Sequence, residues 1–548
     1  MFSRLSSLLV LPLQPVLLVA VLLLAGGCRA ASDGSGAPPP LRQLSAPPPP
    51  DPAAVPASHV ALHWPVPAPP PMAIQEPVLW VALEAHLKPS HNGQATSAPP
   101  LRLRSGSGGM LTLIDAGGQR FMAPELILHW RRQPLAQALQ LRRSVIGPFA
   151  SFESAEETAD RWRAMGVDAV IAHPREWEVW AVPGSMPPEG LTTGLVDRAE
   201  TSRLELELRR ADGVVELRGP IRIEASSGLQ WRDGLYSGPF RLQADAYGSW
   251  TLLEEVPLER YLEGVVPHEI GARSPAAALA AQAVLARTWA VRNQHRFAVD
   301  GYHLCADTQC QVYSDPRQAG SAARTAIAST RHQVLAWRGQ PIHAVYHATN
   351  GGVAAGFEEV WSGKPLAYLQ AFPDGPTPYA NQFSLPLTSA ALTGLLADGQ
   401  GAYGADHPRF RWSRTLTAEA ITAALGGAAA GIGPPQDLRV LERGPSGRVL
   451  ALEIKGSTGV RLLRLDAIRR TLRTLPSTLF RLTPAGPGAW RVVGGGFGHG
   501  SGLSQAGAID LARRGWSSAR ILQHYYPNAE LRPLSELNIS PKTSTLND

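Results

Sequence analysis

The stretch from Tyr261 to Tyr313, YLEGVVPHEIGARSPAAALAAQAVLARTWAVRNQHRFAVDGYHLCADTQCQVY, constrains the fold most, because it sets a carboxylate, a helix of small residues and a Cys pair in one run. Ser274-Pro275 is a strong helix start: a Ser side chain can accept from free backbone N–H groups, and the fixed φ of Pro suits the first turn. The spacing predicts a helix from there to about Asn293, with Leu279, Ala283, Ala286 and Ala290 on one packed face. Such a helix must pack closely, which singles out Gln282 and Arg287. Each suits a hydrogen bond to a sugar, to Glu269 or to the structure itself. Glu269 stands in the apolar run Val265-Val266-Pro267-His268-Glu269-Ile270, just ahead of the predicted helix. Partial desolvation there would raise a carboxyl pKa toward the value a general acid needs near neutral pH. Glu259 and Glu263, flanked by charged or open sequence, read as solvated helix-surface groups.

The N-terminus predicts where the chain works. Residues 1–28 open on Arg4, continue through an apolar run from Val16 to Ala25 and close on small residues before Cys28, the pattern of an export signal. The run is too short and too Pro-interrupted for a good membrane span. Ala25-Gly26-Gly27-Cys28 resembles a lipoprotein processing site, so Cys28 is either lipidated or removed. That leaves Cys305 and Cys310 for the mature chain. Five residues apart in an exported protein, they predict a disulfide or, with His303 and His295 nearby, a zinc site. The formal charge of +6 favours acidic partners, which for an exported protein means anionic wall polymers or lipid headgroups rather than nucleic acid.

Composition divides the rest. Residues 29–75 are dominated by Pro, Ala and Ser, with Pro47-Pro48-Pro49-Pro50, and predict a disordered linker that buries no core. Residues 76–140 contain strand-like runs, beginning with Val78-Leu79-Trp80-Val81-Ala82-Leu83. Residues 141–184 predict a strand, a helix after Ser154, and two more strands, with Ser154 and Glu157 as a capping box and Gly166 as the stop. A further region spans 215–535, with helices from Ala319 to about Ser329, after Thr417 and from Asp466 to Leu475. Residues 536–548 form a polar tail. The expected fold is a mixed, multi-domain α+β protein.

Two glycine-rich loops stand out. In His347-Ala348-Thr349-Asn350-Gly351-Gly352 a Gly pair would let backbone N–H groups approach a ligand. In Gly494-Gly495-Gly496-Phe497-Gly498-His499-Gly500-Ser501-Gly502-Leu503-Ser504-Gln505 the glycines surround one His, which makes sense where the backbone is tightly constrained or lies against a ligand. This is no dinucleotide fingerprint, since no clean strand is expected before it and a phosphate-binding Lys is missing. Nothing suggests a nucleophilic Ser or Cys, for there is no GxSxG elbow.

Residues 261–313, the YHATNGG loop and the GFGHGSGLSQAGA block together resemble the SpoIID/LytB family of peptidoglycan-active proteins, over roughly Val215 to Leu531. The resemblance implies lytic transglycosylase activity on glycan strands stripped of peptides, with Glu269 as the acid/base. It implies a glycan groove lined by Gln282, Arg287, His347, Thr349, Gly351, Gly352, His499, Ser504 and Gln505. No cofactor is required, and zinc on His303 (or His295), Cys305 and Cys310 would be structural. Ile270-Gly271 and Ser274 stand where the family has Met-Pro and a Trp. Some members are amidase enhancers, so the alternative is a non-catalytic glycan-binding protein that stimulates an N-acetylmuramoyl-L-alanine amidase. Residues 141–184 resemble the SPOR module, which binds peptide-free glycan. The expected location is the periplasm or envelope, with membrane contact only through a lipid anchor.

Overall fold

The computed structural model describes residues 42–44, 60–88 and 99–537. The expected signal segment 1–28, Cys28, and residues 538–548 of the expected tail lie outside them. The architecture is mixed α+β and built from several sheets. An eight-stranded sheet runs edge to edge through Arg42–Leu44, Arg120–Ala123, Leu111–Ile114, Ile221–Ala225, Phe240–Ala244, Trp250–Pro257, Val78–Leu87 and Leu304–Cys305. All pairings are antiparallel except the last. Alternation of buried and outward residues along Leu111–Ile114 and Ile221–Ala225 follows the two-residue period of a strand with one face on a core.

The segment at 141–184 has the expected strand, helix, strand, strand order, but it is not self-contained. Its first strand is the end of a 25-residue strand, Glu125–Phe149, which pairs with Gly194–Arg210 within a nine-stranded sheet. Helix α1 (Phe152–Ala164) packs its buried Phe152, Ala155, Ala159 and Trp162 into a core shared with Ala82, Leu253, Phe297 and Tyr302. The cap of α1 is Ser151, whose side chain accepts from the N–H of Ser154, so the expected Ser154 capping box is corrected by three residues. Gly166 follows the helix at φ +79°, as a stop requires. The described residues from Arg42 to Leu537 fall in one compact unit.

The expected linker is also corrected in part. Val60–Ala61 pairs with Gln140 and Leu141 of the long strand. Further on, Met72 is buried, its N–H donating to Gln294, and the Pro70 carbonyl accepts from His303 Nε2 at 2.9 Å. Residues 60–75 are therefore a strap on the fold. Apolar side chains at Met72 and Val66, between the prolines, give it something to bury.

Two helices carry the centre. Helix α2 (Leu258–Glu269) follows strand Trp250–Pro257, and helix α3 (Ala276–Arg292) follows it. The expected one-sided packing of α3 does not hold: every residue from Ala278 to Val291 is buried. A helix apolar on all sides belongs inside a core. Ser274 does not cap it, since its hydroxyl donates to the Ile270 carbonyl at 2.7 Å, and Pro275 occupies the cap position.

Candidate active site

Glu269 is the last residue of α2 rather than a loop residue ahead of a helix. There the partial negative charge of the helix C-terminus adds to the disadvantage of an ionised carboxylate. Burial pushes its pKa up, opposed by the Val312 N–H, which donates to Oε1 at 3.0 Å, and by the Tyr346 hydroxyl. Tyr346 is itself placed by Gln311, whose Nε2 donates to its hydroxyl at 3.0 Å, and Gln311 Oε1 accepts from Tyr261 at 3.2 Å.

Glu269 lines an open cleft of about 540 Å³, within the usual range of ligand pockets, roughly 300–1,000 Å³. The other walls come from three parts of the chain. Phe152 and Glu153 come from α1, Trp289, Arg296, Gln309 and Val312 from the central block, and Trp361, Asp466, Arg469, Arg470, Arg473 and His499 from the C-terminal third. Most of the remaining carboxylates are engaged. Glu153 pairs with Arg296 at 2.6 Å. Buried Glu359 accepts from Ser446 N–H and hydroxyl at 2.9 and 2.7 Å. Asp466, lifted to about 6 by burial, accepts from the Ser151 and Ser154 hydroxyls at 2.5 and 3.2 Å.

His499 closes one end. Its Nε2 bonds the Tyr346 carbonyl at 2.8 Å and its Nδ1 accepts from the Ser501 N–H at 3.2 Å, a pairing that fits the neutral Nε2–H tautomer. Burial, reinforced by Arg469, holds its pKa down to about 3. The ring lies 5.0 Å from Trp361 and 5.1 Å from His347, centroid to centroid.

Of the expected groove residues, then, the structure brings Glu269 and His499 together, with Gly498 and Phe497 of the same loop, and sets the others behind the wall. Arg287 is fully buried in a two-pronged pair with Glu259, at 2.8 and 2.7 Å. It joins α3 to α2, and Glu259 is not the solvated group expected. Gln282 is buried, its Oε1 accepting from Gln505 at 3.3 Å. His347 is buried behind His499 with Nδ1 on the Ser501 carbonyl. Ser504 caps the helix Gln505–Arg513, accepting from the Gly507 N–H. Thr349 bridges to Phe497.

The two glycine loops meet each other. A Cβ on Gly351, at φ +73°, would lie 2.6 Å from the Gly495 carbonyl carbon, and one on Gly498 2.6 Å from the His347 Cβ. Gly352, also at positive φ, faces Tyr379. Fully buried Arg448 locks the turn from below through the Asn350 and Val353 carbonyls. The strand Ala489–Gly495 runs directly into the second loop, contrary to expectation.

Cys305 and Cys310 form a disulfide. Neither sulfur is then available as a thiolate, and His303 has both ring nitrogens committed, Nδ1 accepting from Trp80 N–H at 2.8 Å and Nε2 on Pro70. His295 turns instead to Glu156. These residues do not fit a zinc centre.

Sequence reasoning missed Tyr346, Trp361 and Arg469. Tyr346 is the first residue of the YHATNGG motif, and Arg469 lies in the helix predicted from Asp466 to Leu475, which the structure ends at Thr471. Trp361 carried no signal.

Glu269, its carboxyl pKa raised by burial, thus stands at the wall of an open, arginine-rich cleft. The stage II sporulation protein family model matches residues 246–337, which hold Glu269 and both helices. A domain of unknown function matches residues 355–502, which hold the opposite wall. The chain is 28% identical over 298 residues to stage II sporulation protein D of Bacillus subtilis (strain 168), covering 51% of this chain and 75% of that protein. It is 28% identical over 289 residues to the amidase enhancer of the same organism, covering 49% and 40%. These matches support a place for the chain beside the SpoIID and amidase-enhancer proteins.

Proposed function

We propose that this protein is an exported peptidoglycan lytic transglycosylase. It would cleave the bond between N-acetylmuramic acid and N-acetylglucosamine in peptide-free strands and leave a 1,6-anhydro end. The observation that carries this is Glu269, a carboxyl raised by burial in the cleft and held by Val312 and Tyr346. Hydrolytic glycosidases use two carboxylates, one to activate or replace water. Here Glu153 and Glu359 are tied into the wall and Asp466 is held by two hydroxyls. A single group suffices when the sugar's own C6 hydroxyl attacks C1. Glu269 protonates the departing O4 of N-acetylglucosamine as the C1–O4 bond breaks. The muramoyl O6 bonds to C1, and the Glu269 carboxylate takes the proton from that hydroxyl. The site regains its starting protonation, and no water is consumed. His499, neutral and fixed, holds the Tyr346 backbone and so the hydroxyl that meets Glu269.

Purified protein incubated with amidase-treated glycan should release anhydro products detectable by mass spectrometry, and Glu269→Gln should release none. Absence of product from the unaltered protein would reject the proposal. The similarity to an amidase enhancer favours a second reading, a glycan-binding protein that stimulates a wall amidase, with the SPOR-like segment 141–184 contributing to strand binding. Under it Glu269→Gln retains strand binding and amidase stimulation.

A further inference from the structure

The cleft carries more positive charge than the chemistry above uses. Arg296 and Arg470 are paired, with Glu153 at 2.6 Å and Glu176 at 2.7 Å. Arg469 and Arg473 differ. Both line the cleft, and among the described residues neither has a carboxylate within ion-pair distance. Arg473 only donates to the Arg470 carbonyl, at 3.3 Å. Arg469 is half-buried, and its charge reaches across to His499 and His347. Asp466, one turn earlier on the helix Asp466–Thr471, is the acidic group that acts on Arg469, and that carboxylate is already held by Ser151 and Ser154. A half-buried guanidinium without a counter-ion is costly, and it gains most from a planar anion that can take two hydrogen bonds.

We propose that Arg469, with Arg473 at the cleft mouth, forms a subsite for the free lactyl carboxylate of N-acetylmuramic acid. This rests on the reading of the cleft as a glycan site. The lactyl group ends in a carboxylate only where the peptide has been removed; where a stem remains, the same carbon is a neutral amide, which leaves the guanidinium uncompensated. The pair therefore sets the preference for peptide-free strands. Because it belongs to the 355–502 segment rather than to the stage II match, specificity and acid/base chemistry come from different parts of the chain.

The test is binding by the full chain carrying Glu269→Gln, so that no turnover intervenes. The probes are amidase-treated glycan strands and the same strands with their lactyl carboxylates converted to methylamides. Methylamidation should weaken binding about tenfold to hundredfold, the range for a charge-assisted hydrogen bond. Adding Arg469→Gln should weaken binding to native strands by a similar factor and abolish the distinction, while Arg469→Lys should recover part of it. Equal binding of both probes by the Glu269→Gln chain overturns the carboxylate subsite and leaves the glycan reading standing. Binding of neither probe overturns both.

Discussion

The Nε2 of His499 meets the carbonyl of Tyr346 at 2.8 Å, and the hydroxyl of that same tyrosine bonds the Glu269 carboxyl. The backbone of one motif is thereby fixed by the His of another, and the side chain between them opposes the rise that burial imposes on the Glu269 pKa. Three parts of the sequence, 77 to 230 residues apart, act as one device.

The first prediction concerns pH. Under the proposed mechanism Glu269 acts in its protonated form, so activity should fall as pH rises through its raised pKa. Tyr346 stabilises the ionised form, so Tyr346→Phe should move that alkaline limb upward by about one unit. An unmoved limb would break the proposed link. The same shift has a stability sign. Folding takes up a proton between the unfolded and folded pKa values of Glu269, so stability declines as pH rises through that window, and Glu269→Gln should remove this part of the slope in denaturant titrations.

His499 has the opposite sign. Its pKa is held at about 3 against an ordinary 6.5, so the unfolded chain binds the extra proton. The stability it contributes is present above 6.5 and is lost as pH falls toward 3. His499→Asn should flatten this acid limb in urea titrations and lower kcat on the order of tenfold to hundredfold by misplacing Tyr346. A kcat within twofold of the unaltered protein would remove His499 from the positioning role.

Arg287 should behave as a structural residue. Arg287→Met leaves the part-buried Glu259 carboxylate without its partner and should cost about 3 kcal/mol. Arg287→Met with Glu259→Leu should recover much of that loss. Urea unfolding of the two variants distinguishes this from a substrate contact, which would lower activity at unchanged stability.

Reducing the Cys305–Cys310 bond should cost about 2 kcal/mol, the loop-entropy value for so short a ring. The effect on activity should be larger than that on stability, because Cys310 lies two residues before the N–H that holds Glu269. Activity and Tm measured in parallel for the Cys305→Ser, Cys310→Ser double variant check this. Equal activity in the two proteins would show that the loop keeps its shape unaided.

How much of this was legible in the sequence depends on range. The central helix was, because Pro275 and a run of small residues act locally. The raised carboxyl pKa of Glu269 was, because its apolar neighbours are adjacent in sequence. The Arg287–Glu259 pair was not, since an arginine inside an alanine-rich helix looks the same whether it meets a sugar or a carboxylate 28 residues away. The glycines of the two loops were rightly taken to mean close approach. What approaches is the other loop, a contact about 145 residues apart that no local pattern encodes.

The shared sheet decides what can be separated. The stage II match begins at residue 246, yet its first strand, Trp250–Pro257, lies between Phe240–Ala244 and Val78–Leu87, and Leu304–Cys305 adds to the outer side of the latter. Cutting the chain at the boundary of the match would bare an apolar edge on each of those strands, which is a template for intermolecular pairing. The unit that homology recognises is thus smaller than the unit that the shared sheet ties together.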